Sequence, residues 1–194
     1  DVITPIIPDE VLDHSSSLSK ICSYSIFGMS HLVEETPLVV GAPSYGHHAF
    51  LRAKNIGVKS VAYCWNNPDW YREEQLVPEY KAFGKPFPTS PANRLMNETA
   101  LRQADRVIAC SAFVRDTHAR VVPESKISIA RWGVDTERFH PGEKYDKFTF
   151  VFSGGDPIRK GLIYLLRAVS ALPREIDLRV IVVGCKPGIG DPRF

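Results

Sequence analysis

One stretch, Phe148–Leu172 (FTFVFSGGDPIRKGLIYLLRAVSAL), narrows the choice of fold more than any other. Phe148–Phe152 are β-branched or aromatic and short enough for a strand. Ser153–Pro157 break that pattern as a turn does. Leu162, Leu165, Leu166, Val169 and Leu172 then recur at spacings of three and four, which is one face of a helix. The stretch therefore reads strand, glycine loop, helix. Arg159 and Lys160 stand where the loop meets the helix, and that geometry suits a phosphate. Gly154 and Gly155 let the backbone approach closely, N–H groups at the helix start face the anion, and the two cations neutralise it. A plain β-turn-α connection with two solvated cations is the ordinary alternative. The loop is neither GxGxxG nor GxxxxGKS/T, so neither a dinucleotide fingerprint nor a P-loop is present.

The rest of the chain repeats the alternation. Leu38–Ala42 reads as a strand, Pro43–Gly46 as a turn, His47–Ile56 as a helix stopped by Gly57, and Val58–Cys64 as the next strand. This βαβ unit implies parallel pairing with helices packed on the sheet. Residues 65–91 read as a long surface excursion with a helical piece at Glu73–Phe83. Ser90-Pro91 is a helix start, with Ser as cap and Pro at the first helical position, and the helix runs to Ala104. Arg106–Cys110 and Lys126–Arg131 are strands on either side of a helix capped by Ser111. Leu178–Val183 is a last apolar strand. Before all of these, Asp1–Ile7 reads as a strand already under way, residues 9–23 as loop with a serine run at Ser15–Ser17, and Tyr24–Glu35 as a short helix. Two parallel strands do not make a stable sheet alone. The expectation is therefore a fragment, or part of something longer.

Composition excludes several classes. A net charge of +2, with the basic residues scattered along the chain, gives no nucleic-acid footprint. No apolar run reaches the roughly 20 residues that span a bilayer. Cys22, Cys64, Cys110 and Cys185 form no C-x-x-C pair, which speaks against zinc and for reduced thiols in a cytoplasmic protein.

An ordered set of residues resembles a known family. The set is Ala104-Asp105-Arg106-Val107-Ile108, Ser111, Phe113, Lys126-Ile127, Gly133-Val134-Asp135, Phe139, Pro141, Gly154, Lys160-Gly161, Leu166 and Ala168. Over about Leu38 to Gly184 it is similar to the family-4 glycosyltransferases, retaining enzymes of the GT-B fold. The resemblance implies an α/β protein with two Rossmann-like domains, each with a parallel sheet and both incomplete here. Residues 1–140 would be the acceptor domain, incomplete at its start, 141–147 a linker, and 148–194 the truncated start of the donor-binding domain. It implies a nucleotide-diphosphate sugar as donor substrate, no cofactor, and a sugar or lipid-linked acceptor.

Lys160 falls on the family's KG lysine, which contacts the donor diphosphate. Where the family often has an arginine after the loop glycine, Gly155 and Asp156 stand here, and Arg159 is the nearby substitute. The donor-phosphate set is thus Gly154, Gly155, Arg159 and Lys160. No Asp-x-Asp pair occurs, which agrees with charge stabilisation by protein groups and no metal. The family's Glu-x7-Glu motif has no counterpart, since no two glutamates lie eight apart. The expectation is that these residues alone do not transfer sugar.

On the acceptor side the candidates are Ser44, His47, His48, Trp65 and Asn66. The family's strand-end histidine is replaced by Gly41 and Ala42, and His47 and His48 follow at the expected helix start. A neutral imidazole there accepts a hydrogen bond from a hydroxyl; two ordinary cap-region histidines are the alternative. Trp65, Trp70 and Tyr71 offer aromatic faces to a sugar or lipid, with loop packing as the alternative. Arg94, Arg102 and Arg106 offer a basic face for peripheral contact with an anionic membrane at its inner side; a solvated helix face is the plainer reading. The rival function is a non-catalytic nucleotide-sugar-binding or assembly module of the same fold.

Overall fold

A computed structural model describes residues 25, 26, 28–88 and 90–184. The strand expected at Asp1–Ile7, the serine run, Cys22 and Cys185 lie outside them. The α/β class and the parallel sheets expected from the sequence are both present. The chain forms two compact units. The described part of the first runs to Gln75 and resumes over Pro88–Gly133, while that of the second comprises Leu76–Phe87 and residues 134–184.

The first unit holds β1 (Val39–Gly41), α1 (Pro43–Asn55), β2 (Ser60–Cys64), the start of α2 (Asp69–Ala82), α3 (Pro91–Gln103), β3 (Arg106–Ala109), α4 (Ala112–His118), a 3₁₀ turn (Glu124–Lys126) and β4 (Ile127–Ile129). Its strands pair in parallel in the order β1-β2-β3-β4. Each new strand joins the same edge. Right-handed crossovers that all step in one direction carry their helices to one face. Burial follows that rule. Ala62 and Cys64 of β2 and Val107 and Ala109 of β3 are buried with Phe50 of α1, Ala100 and Leu101 of α3 and Val114 of α4. On the opposite face Tyr63 and Ile108 are only partly covered and Val40 is exposed. Small residues at the helix–sheet contact let the layers approach closely, so this core is built largely of alanine and valine.

Local signals place most boundaries. Ser90 caps α3, its hydroxyl accepting from the Asn93 N–H at 3.3 Å, and Ser111 caps α4 through the Val114 N–H at 3.2 Å. After α1 the Val58 and Gly57 amides donate to the Ala53 and Lys54 carbonyls at 2.9 and 3.4 Å, with Gly57 at φ +75°. This is the left-handed stop for which the sequence used glycine. Two starts differ from expectation. The turn expected at Pro43–Gly46 is the first turn of α1, because proline at the first helical position loses no hydrogen bond. The helical piece expected at Glu73–Phe83 begins at Asp69, so Trp70 and Tyr71 lie on a helix and not in a loop. Within Tyr24–Glu35, residues 25, 26 and 28–30 are helical.

The second unit has β5 (Phe148–Ser153) and β6 (Leu178–Val183), paired in parallel, and α5 (Leu162–Ser170) between them. Its core joins Tyr80, Ile158 and Ile163, with Leu76, Phe83 and Phe87 packed against them. The end of α2 and the turn after it therefore supply one wall of this core, where the sequence suggested a surface excursion.

Candidate functional site

Two groups of residues stand at the carboxyl ends of the two parallel sheets, which is where ligands bind in this architecture.

In the second unit the chain leaves β5 at Ser153. The Gly154 N–H donates to the Val183 carbonyl of β6 at 2.9 Å. A Cβ on Gly154 would stand 2.8 Å from Lys160 Cγ, so the Lys160 stem lies directly over this glycine and requires it. Asp156 and Pro157 then open a tight turn. The Asp156 carboxylate Oδ1 accepts the Ile158 and Arg159 N–H groups at 3.2 and 3.0 Å. The Lys160, Gly161 and Leu162 amides go to the carbonyls of Asp156, Ile158 and Pro157 at 3.0, 3.1 and 2.9 Å. Gly161, at φ +79°, joins this turn to α5 in a conformation that other residues resist. The expected N–H groups at the helix start are thus mostly taken by the loop itself.

The two cations differ. Arg159 Nε lies 3.7 Å from Asp156 Oδ2, which also receives the Tyr80 hydroxyl. The Lys160 ammonium has no ion-pair or hydrogen-bond partner among the described residues, and its side chain is exposed. Gly155 is exposed, and a Cβ there would meet the Gly184 carbonyl oxygen at 3.4 Å. Gly154, Gly155, Arg159 and Lys160 are therefore gathered on one turn. Sequence reasoning passed over Asp156 and Tyr80, which shape it. Asp156 was visible as an Asp-Pro turn opener, but nothing local links Tyr80 to it.

In the first unit Ser44 is the second residue of α1, just beyond β1, and Trp65 and Asn66 follow β2 directly. Both sets border the carboxyl end of the sheet. His47 and His48 sit in the second turn of α1, one turn deeper than expected. Their rings meet edge to face at 4.9 Å. His48 uses its backbone N–H and Nδ1 on the Ser25 hydroxyl, at 2.8 and 3.0 Å. Burial, then the neighbouring His47, push the His48 imidazole below its ordinary value. His47 Nδ1 is buried with no partner among the described residues.

Trp65 is 43% exposed and stacks obliquely on Tyr63 at 6.0 Å, while Trp132, 67% exposed, reaches the same Tyr63 at 6.5 Å from beyond β4. The sequence reading left Trp132 out because it lies 67 positions from Trp65, and only the sheet brings them together. Trp70 instead lies under the Arg120 guanidinium at 4.7 Å, and Tyr71 packs on Phe113 at 5.5 Å.

Other charged groups have structural work. Asp105 accepts from the Ser60 N–H at 2.9 Å and from Lys59 Nζ at 3.1 Å, tying the start of β2 to the start of β3. Burial opposes its charge, but the bonds from Ser60 and Lys59 together hold the carboxyl below its ordinary range. Arg94 lies between Glu73 and Glu98 at 3.1 and 3.0 Å, and Arg102 within 4.0 Å of Glu98. The basic face expected of these arginines is thus partly neutralised. Cys64 and Cys110 are both free thiols, and burial, then the neighbouring Cys110, push the Cys64 thiol up to about 12. No helix among the described residues is long and apolar enough to cross a membrane.

Residues 29–138, more than half of the chain, match the model of a family described as Glycosyltransferase Family 4. The match takes in β1–β4 and every acceptor-side candidate; the glycine turn after β5 lies beyond it. A comparison with curated proteins gave no match.

Proposed function

This chain belongs to glycosyltransferase family 4, and from that premise we propose that it moves a sugar from a nucleotide-diphosphate donor to a sugar or lipid-linked acceptor with retention. Glycosyl transfer itself follows from the family; the donor, acceptor and stereochemistry are our reading. The observation that carries it is Lys160, whose stem lies over Gly154 and whose ammonium has no acidic partner among the described residues.

As the glycosidic bond breaks, negative charge grows on the departing diphosphate. A fixed cation beside it stabilises that charge more in the transition state than in the ground state. Lys160 supplies the cation in this reading, and Gly154 and Gly155 permit the close approach. Because no Asp-x-Asp pair is present in the sequence, we assign the charge stabilisation to protein groups and to no metal.

The acceptor is placed at the carboxyl end of the first sheet, among Ser44, His47, His48, Trp65 and Asn66. Exposed indole faces suit the C–H face of a sugar ring, and the unpartnered His47 Nδ1 suits a hydroxyl. Two unpaired thiols, Cys64 and Cys110, support a reducing compartment, the cytoplasm.

The test is calorimetry of UDP and GDP binding to the full-length protein. Lys160→Ala is expected to weaken binding about ten- to hundredfold, the scale of one charged hydrogen bond. Unchanged affinity would remove Lys160 from the donor site.

A further inference from the structure

The turn carries two adjacent cations, yet it does not present them equally. Asp156 has three hydrogen-bond donors and one ion-pair partner on its two oxygens. Oδ1 takes the Ile158 and Arg159 amides at 3.2 and 3.0 Å, and Oδ2 takes the Tyr80 hydroxyl and faces Arg159 Nε at 3.7 Å. These are the contacts an anion would receive from a turn of this shape: backbone N–H groups and a guanidinium. The protein's own carboxylate already holds them. Tyr80 comes from α2, so the arrangement is fixed from outside the turn and not only by local geometry.

We infer that Asp156 is a positioning residue of the donor loop, holding the Arg159 guanidinium and two loop amides so that the diphosphate is left to Lys160. The inference rests on the donor site proposed above. It follows that the loop offers its substrate one cation and not two. It also follows that Arg159, engaged by that carboxylate, adds little to diphosphate affinity while Asp156 is in place.

Asp156→Asn separates the effects. The amide oxygen still accepts the Ile158 and Arg159 N–H groups, so the turn is kept, but the amide nitrogen cannot hold a guanidinium. The full-length variant is expected to bind UDP or GDP about three- to tenfold more tightly, the scale of one partly exposed ion pair released. Its donor KM should fall in parallel. In an Arg159→Ala background the same substitution should lose most of that gain, since no guanidinium remains to be freed; two independent effects would simply add.

A role confined to shaping the turn would not give this pattern, because Asp156→Asn keeps the turn and that role predicts unchanged binding, with or without Arg159. The inference is overturned if Asp156→Asn binds no more tightly than wild type, or if its gain survives intact without Arg159. Should Asp156→Asn fail to fold, Arg159→Ala alone decides: a loss of affinity as large as that of Lys160→Ala overturns the inference, and a clearly smaller loss supports it. If Lys160→Ala weakens binding while the Asp156 cycle shows no coupling, only this inference falls. If Lys160→Ala changes nothing, or neither nucleotide binds, the donor site falls and takes this inference with it.

Discussion

At His118 burial has an electrostatic consequence. The ring is 3% exposed, and its Nδ1 lies 2.8 Å from the Val114 carbonyl oxygen. Burial pushes the imidazole below its ordinary 6.5; the bond to Val114 and the charge of Asp69 pull the other way without cancelling it. Unfolded, the ring takes a proton near 6.5, whereas folded it resists. Its contribution to stability is therefore complete above that value and is lost as pH falls through the lower folded value. The urea midpoint should decline between about pH 7.5 and 5.5, and His118→Leu should decline less steeply. Equal slopes would show that this ring does not titrate on unfolding. His48, depressed by burial and by His47, adds to the wild-type slope in the same sense. The site shows a similar limit on what single residues reveal. Lys160 and the two glycines were legible as GGDPIRKG, since a turn and its charges are local. The Tyr80 hydroxyl on Asp156, which fixes that carboxylate from outside the turn, was not, because the tyrosine lies 76 positions away.

Among the elements, helix starts were the most legible feature, because a cap is a property of four neighbouring residues. Ser90 and Ser111 both cap as the sequence indicated. Ser90→Ala should cost about 1 kcal/mol in denaturant unfolding, and Ser90→Gly only a few tenths. Equal losses for the two would mean that the hydroxyl is not the cap. Starts read from hydrophobic periodicity fared less well. α1 begins four residues early at Pro43, and α2 four residues early at Asp69. The first turn of α1 holds proline, serine and glycine, and in α2 Trp70 and Tyr71 are adjacent and followed three and four positions on by polar residues, so neither turn shows the spacing that marks a helix face. α5 shows the converse. Its apolar stripe through Leu162, Leu165 and Leu166 was visible, but Ile163, off that stripe, is among its most buried residues. It packs with Tyr80, on a second surface that no spacing announces.

For the molecule as a whole, the division into units does not follow chain order. Leu76–Phe87 precedes α3, β3 and β4 in sequence, yet it belongs with β5, α5 and β6. Its anchors are Tyr80, Phe83 and Phe87, gathered with Ile158 and Ile163, and a Tyr164 hydroxyl bonded to Glu79. Ile163→Ala should cost about 2–5 kcal/mol. In hydrogen exchange it should deprotect the amides of 80–87 together with β5 and α5, while β2 and β3 keep their protection. If 80–87 instead exchanges with β2 and β3, the segment belongs to the first unit. Alternation of strand and helix, the caps, the glycine turn and its lysine were all determined by the sequence itself, because each depends on side chains within a few positions and on backbone sterics. Which aromatic rings meet at the sheet end, that Tyr80 reaches Asp156 and which core claims Leu76–Phe87 were decided only in the tertiary structure. These depend on burying apolar surface and bonding polar groups between residues far apart in the chain, and local propensity carries no record of such partners.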